Sequence, residues 1–254
     1  MNTGHELRSA LEEHPLVGTF VKLARPELID LMAMAGFDFI VLDLEHGQSA
    51  YSEVRETLLA ARANGVPTLV RLGAPDHALT NRLLEAGASG IQLSNVTSAR
   101  LAHGLRASLR YQPVGDRSIS LSQPAAKYGA TDLHSYLAEH TSAPLVVGQF
   151  ETVEYEDDLD DIVRHLDVAF IGPTDLSVAA QTPGTVTGGA AADVIAAVEE
   201  STRRTGVHLG TFAGTPEGAQ WAVERGYRYV VVSSDLALIG AASRTLRATI
   251  GGLR

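Results

Sequence analysis

The feature that most limits what this chain can fold into is a rhythm. Eight short β-rich runs recur along it, each followed by a segment with helical periodicity: LVGTFVKL, DFIVLDLE, PTLVRL, GIQLSNV, PLVVGQFE, DVAFIG, HLGTFA and YRYVVVSS. They return at intervals of roughly 20 to 30 residues, and bounded runs of this kind read as strands. Amphipathic stretches lie between them, among them PELIDLMAMAG, YSEVRETLLAARANG, DHALTNRLLEAG, TSARLAHGLRASL and PEGAQWAVERG. Several close on a glycine in the position of a helix C-cap. Strands alternating with helices form a parallel sheet covered on both faces, and eight such units in 254 residues match the size of a (β/α)8 barrel. A doubly wound open sheet is the alternative. No G-x-G-x-x-G follows the first run, so its dinucleotide-binding version is disfavoured. No linker or composition shift divides the chain, which reads as one domain over residues 1–254. The longest irregular stretches, 111–143 and 181–190, are expected as loops over one face of the barrel.

Under this parsing the polar residues gather where strands end. Lys22 closes the first run, Asp43 and Glu45 the second with His46 just beyond, Arg71 the third, and Gln149 and Glu151 the fifth, while Asp175 follows the sixth. The C-terminal end of a barrel is where catalytic groups sit. Residues two apart on a strand share a side, which pairs Asp43 with Glu45 and Gln149 with Glu151. Glu151 and Asp175, converging from consecutive strands, would repel each other unless a cation lay between them. A hard divalent ion with open positions for water or substrate meets that need. Each residue also has a plainer reading: a strand-end carboxylate as a helix N-cap or loop ion pair, Arg71 as a structural partner of Asp43 or Glu45, His46 as a satisfied loop histidine. Lys22 could be a nucleophile, and the GPTD turn could cradle a phosphate.

Composition narrows the chemistry further. With no cysteine, a metal would have to be held by oxygen or imidazole, and no H-x-x-x-H pair offers a zinc site. A net charge of -10 argues against nucleic acid and anionic membrane as partners. No apolar run approaches a membrane span and the first residues lack a signal-peptide pattern, so a cytoplasmic location is expected. Only Lys22 and Lys127 are lysines, which leaves few candidates for Schiff-base chemistry.

The blocks GTFVKLARPELIDLMAMAGFDFIVLDLEHGQ, VRLGAPDHALTNRLLEAGASGIQLSNV, VVGQFET, FIGPTDLS and GTFAGTPEGAQWAVERGYRYVVVSSDLALI resemble the HpcH/HpaI family of class II pyruvate aldolases, over nearly the whole chain and in the family's order. The family includes 4-hydroxy-2-oxoheptanedioate aldolase and aldolases of 2-keto-3-deoxy sugar acids. The resemblance implies a phosphoenolpyruvate/pyruvate-type TIM barrel and reversible aldol cleavage of a 4-hydroxy-2-oxo acid to pyruvate and an aldehyde. It implies Glu151 and Asp175 as ligands of Mg2+, Mn2+ or Co2+, Gln149 and the Gly172-Pro173-Thr174 turn as substrate contacts, Arg71 against the 2-oxo oxygen, and His46 as the acid/base group. Asp43 and Glu45 would hold Arg71 and the loop. Glu85 matches the position from which a neighbouring subunit's acid assists the histidine. The family pattern is a hexamer, a trimer of dimers, with a last helix, here about 236–250, exchanged between subunits.

The chain departs from the family pattern at Ser94-Asn95, where Pro and His or Met are usual, at Gln112 and Ser118, and in carrying Glu rather than Asp at position 85. On the family pattern these departures are expected to touch the aldehyde side. Two other classes stand beside the aldolase: another metal-enolate enzyme on the same barrel, such as a citrate-lyase-like enzyme, an oxaloacetate decarboxylase or a biosynthetic carbon-carbon ligase, and a non-catalytic barrel that binds a carboxylate.

Overall fold

The computed structural model describes residues 4–140 and 144–250. All eight expected strands form: β1 (Leu16–Val21), β2 (Phe39–Asp43), β3 (Thr68–Leu72), β4 (Gly90–Leu93), β5 (Leu145–Phe150), β6 (Val168–Ile171), β7 (His208–Ala213) and β8 (Tyr229–Ser234). Each pairs in parallel with the next, and β8 returns to β1, so the sheet is a closed barrel. The helices are α1 (Gly4–Glu13), α2 (Pro26–Met34), α3 (Tyr51–Asn64), α4 (His77–Ala86), α5 (Ala99–Leu109), α6 (Leu133–His140), α7 (Leu159–Val163), α8 (Pro173–Ala179), α9 (Gly189–Thr205), α10 (Pro216–Glu224) and α11 (Asp235–Thr249). Among the described residues no helix is long and apolar enough to cross a membrane.

The expected helix punctuation is present. Asp76, Ser98 and Thr215 cap α4, α5 and α10 by accepting backbone N–H bonds, and Gly65 and Gly87 end α3 and α4 in the left-handed conformation.

Alternate residues of each strand fill two separate cores. One side, with Val21, Ile40, Leu42, Val70 and Ile91, packs beneath the helices. The other, with Phe20, Phe39, Val41, Leu69, Val147, Phe170 and Tyr229, fills the barrel interior. A side chain at position 18 would strike the Phe39 ring at 2.4 Å, and Gly18 leaves the room in which Phe39 stacks on Tyr229 at 4.3 Å between centroids. Leu7 and Leu11 of α1 join the interior core and close the N-terminal end of the barrel. No motif pointed to that helix, because its ten residues are mostly polar and only two of its apolar side chains, Leu7 and Leu11, are buried.

Two expectations about loops change. Residues 111–143 are not loop throughout: they contain a 3-10 turn, Pro124–Gly129, and α6, with Tyr111, Ala126 and Tyr136 in a small core of their own. The end of the expected stretch, 141–143, lies outside the described residues. Nor do the two stretches share a face. Residues 111–140 leave the C-terminal end of α5 and touch the last turn of α3, where Arg62 donates to the Pro124 carbonyl at 3.0 Å, so they cover the N-terminal end of the barrel. The second stretch follows β6 and α8 at the opposite end, and its last two residues already belong to α9. Length without strong periodicity does not say to which end a segment returns.

Candidate active site

The inward-facing series on each strand changes character as it climbs. Phe39 and Val41 lead to Asp43, Leu69 to Arg71, and Leu145 and Val147 to Gln149 and Glu151. Apolar side chains fill the barrel, and polar ones crown it only where the sheet opens toward solvent. The cleft so formed holds about 250 Å3, room for a small molecule. Phe20, Lys22, His46, Arg71, Gln149, Phe170, Phe212, Ser234 and the Gly172-Pro173-Thr174-Asp175 turn line it. A second, smaller cavity of about 70 Å3 at the opposite end, among Ala61, Leu84, Pro124 and Ala125, has no carboxylate in its wall.

Arg71 and Asp43 are register partners on β3 and β2 and form a two-point ion pair, Nε to Oδ1 at 3.0 Å and Nη2 to Oδ2 at 2.7 Å. Both are buried. Asp43 also accepts the backbone N–H groups of Glu45 at 3.1 Å and His46 at 3.2 Å, so one carboxylate shapes the loop that carries the histidine. Burial is the largest influence on Asp43 and pushes its carboxyl up. Hydrogen bonding and charge from Arg71, the His46 amide and the Lys22 ammonium together outweigh it and hold the carboxyl below its usual range. The Arg71 guanidinium lies over the Phe20 ring, 4.4 Å from its centroid. Glu45 approaches Arg71 Nε at 3.4 Å and His46 Nε2 at 3.9 Å, and it accepts a 2.5 Å hydrogen bond from the Ser94 hydroxyl. Arg71 is therefore both the structural partner and a cleft residue.

The opposite wall carries the carboxylates expected to hold a metal. Glu151 follows β5, and both its oxygens are engaged, one by the Asn95 N–H at 2.8 Å and the other by the Gln149 side-chain amide. Asn95 reaches it from a left-handed conformation, φ +50°. Burial raises the Glu151 carboxyl, and the negative charges of Glu45 and Asp175 add to the rise, against the hydrogen bonds from Gln149 and Asn95. Asp175 stands exposed in the first turn of α8. Among the described residues no three His, Asp or Glu side chains converge as a ready metal cage. The two carboxylates nonetheless fit a hard divalent cation: each oxygen has a second lone pair, and the charge that raises Glu151 is what a cation would relieve.

Reasoning from sequence missed the buried support of this wall. Gln92 on β4 donates to Gln149 Oε1 at 2.8 Å and accepts from the Tyr229 hydroxyl at 3.3 Å, which turns the Gln149 amide nitrogen toward Glu151. A glutamine inside the apolar run GIQL was the available signal. Also missed was Asp235, fully buried, which accepts the backbone N–H groups of Lys22 and Leu23, each at 3.0 Å. Glu85 does not reach the cleft of its own chain, and neither do Gln112 and Ser118, so of the departures expected on the aldehyde side only Ser94-Asn95 stands at the rim, on Glu45 and Glu151. Glu85 sits in the last turn of α4, at the N-terminal end of the barrel, hydrogen-bonded by Asn81 at 3.2 Å.

The chain is similar to known proteins along most of its length. A profile of the HpcH/HpaI aldolase/citrate lyase family matches residues 16–242. A hydroxypyruvate/pyruvate aldolase of Rhizorhabdus wittichii is 30% identical over 237 residues, covering 92% of this chain and 93% of that protein. A 2-dehydro-3,6-dideoxy-6-sulfogluconate aldolase of Pseudomonas putida is 27% identical over 241 residues, 93% of this chain and 92% of that one. The crystal structure of an HpcH/HpaI aldolase from Desulfitobacterium hafniense superposes with a TM-score of 0.92 at 27% identity, covering 100% of this chain and 98% of its own.

Proposed function

Because the chain belongs to the HpcH/HpaI aldolase/citrate lyase family, and is thus an enzyme acting on carbon-carbon bonds, we propose that it is a divalent-metal-dependent aldolase. On this reading it cleaves a 4-hydroxy-2-oxo acid reversibly to pyruvate, or a related 2-oxo acid, and an aldehyde. The observation that carries the proposal is the Glu151 carboxyl, raised by burial and by the negative charges of Glu45 and Asp175, beside a cleft that Asp175, Gln149 and the Asp43-held Arg71 line.

Glu151 and Asp175 would hold Mg2+, Mn2+ or Co2+, which when bound supplies Lewis acidity at the 2-oxo group. Backbone N–H groups at Thr174 and Asp175, in the first turn of α8, receive the carboxylate of the 2-oxo acid, while that of Gly172 is spent on the Phe150 carbonyl at 3.0 Å. His46 accepts the proton of the C4 hydroxyl as the C3-C4 bond breaks. The bond's electron pair moves between C3 and C2 and leaves negative charge on the C2 oxygen, while C4 departs as an aldehyde carbonyl. Arg71, held in place by Asp43 before the reaction starts, meets the charge on that oxygen, and a preorganised donor of this kind is worth about 3 kcal/mol or more in the transition state. A proton delivered to C3 completes pyruvate. No lysine takes part.

The reading extends to a hexamer in which Glu85 of a neighbouring copy assists His46. The exposed Leu236, Leu238, Ile239, Leu246 and Ile250 along α11 support association through that helix.

The test is a panel of aldehydes with pyruvate, with and without Mg2+, Mn2+ or Co2+, and with the products identified. A metal-dependent aldol product, abolished by chelation, is expected. Borohydride with pyruvate should leave the mass of the chain unchanged. A covalent adduct at Lys22, or full activity in excess chelator, would replace this mechanism with a Schiff-base one.

A further inference from the structure

Lys22 is a cation in the cleft that the proposed reaction does not use. Phe20 faces the barrel interior and Val21 the helices, so Lys22 rises on the interior side, and it lines the cleft beside His46 and Arg71. Among the described residues its ion-pair partner is Asp43 Oδ2 at 3.8 Å, and that carboxylate is already engaged by two hydrogen bonds from Arg71. An ammonium has three donors, so most of its capacity is directed elsewhere. The side chain is 28% exposed, enough to reach solvent and a ligand. Its root is anchored: Asp235 holds the N–H groups of Lys22 and Leu23 from a fully buried position, which fixes where the flexible stem begins.

The closed barrel sets where this cation stands relative to the rest of the site. β1 and β5 are four strands apart in either direction, so Lys22 lies across the mouth from Glu151. Arg71 on β3 and His46 after β2 stand between them along the rim. If the 2-oxo acid head binds at the β5–β6 wall, as the proposed function has it, the aldehyde half extends past Arg71 and His46 toward β1. We propose that Lys22 is a specificity-determining residue that receives a carboxylate carried by the aldehyde half of the substrate. The enzyme then acts on oxo acids with a second, distal negative charge. This inference rests on the proposed orientation of the 2-oxo acid.

Two measurements test it. The first compares kcat/KM for pyruvate with matched aldehydes, glyoxylate against glycolaldehyde and 4-oxobutanoate against 4-hydroxybutanal, in wild type, Lys22→Met and Lys22→Arg. The carboxylated member of each pair should be preferred by wild type. Lys22→Met should lose at least about tenfold more on it than on the uncharged member, chiefly through KM, the size expected for one charge-assisted hydrogen bond. Lys22→Arg should recover most of the difference. The second titrates Mn2+-loaded protein with 2-oxoglutarate and 2-oxopentanoate, which have equal length and differ by one carboxylate. Wild type should bind the former more tightly and Lys22→Met should not discriminate. Equal losses on both members of an aldehyde pair, or no preference in wild type, would overturn the inference. If no aldehyde gives product yet Lys22 still discriminates the two oxo acids, the aldolase reading fails and the carboxylate contact stands. If products form and Lys22→Met is indifferent in both measurements, the contact fails and the aldolase stands.

Discussion

Asp43 grips Arg71 by both ends of its guanidinium edge, Nε at 3.0 Å and Nη2 at 2.7 Å, while its own oxygen also holds the amides of Glu45 and His46. A single buried carboxylate thus positions the group that meets negative charge and the loop that carries the base.

Replacing Asp43 with Asn leaves the buried Arg71 charge with only the looser Glu45 contact, 3.4 Å from Nε, as counter-charge. Removing one partner of such a pair costs about 3–5 kcal/mol. The urea midpoint of Asp43→Asn should fall accordingly, and turnover should drop at least as far as stability suggests because Arg71 is no longer aimed. A variant with wild-type stability and rate would show that the pair is dispensable.

The same pair sets an acid limb. The Asp43 carboxyl is held below the ordinary value of about 4. Its stabilisation is therefore in place above that value and is lost as pH falls through the lower folded-state value. The gap in urea midpoint between wild type and Asp43→Asn should be constant near neutrality and close below about pH 4, as protonation makes the wild-type side chain uncharged too. A gap that stays constant into that acid range would assign the stabilisation to packing.

Glu151 and His46 should fail differently. Glu151→Ala removes one of two protein carboxylates offered to the metal, so Mn2+ binding, exchange of pyruvate methyl protons and retro-aldol turnover should be lost together. His46→Ala should keep Mn2+ and pyruvate bound and lose roughly 100-fold to 10,000-fold in the proton-transfer steps. Near-normal rates in His46→Ala would move the base elsewhere.

Gly172 probes crowding beneath the cleft. A Cβ there would come within 2.9 Å of Glu151 Oε2 and 3.0 Å of Gln149 Nε2, while its φ of -94° lies outside the left-handed region that favours glycine. Gly172→Ala should fold normally by circular dichroism yet weaken Mn2+ binding by roughly tenfold or more, as disturbed supports of metal ligands do. Unaltered Mn2+ affinity would mean that Glu151 is not a ligand.

The apolar residues of α11 bear on assembly. Leu246 is 64% exposed and Ile239 49% in a single chain. Sedimentation should find an oligomer, and Leu246→Asp should shift it toward smaller species with loss of activity. A fully active wild-type monomer would reject the shared site.

From its sequence alone this chain could be read as a barrel with its polar residues at the strand ends, because both facts are local. A run such as FDFIVLDLE carries its own period, and the place where Phe39 and Val41 give way to Asp43 marks the rim without reference to anything distant. That Arg71 would pair with Asp43 or Glu45 was legible too, as adjacent strands of a parallel barrel bring their ends together, and the register gave the two-point pair to Asp43. What only the tertiary structure decided are contacts between segments whose separation carries no period. Asp235 reaches Lys22 across 213 positions because β8 closes on β1. Tyr229 reaches Gln92 across 137 through the packed interior, and so aims Gln149 at Glu151. Ser94 meets Glu45, α1 plugs the barrel floor with two leucines, and residues 111–140 fold under the barrel rather than over its mouth. Strand and helix patterns encode which way a side chain faces, and barrel closure decides what it finds there.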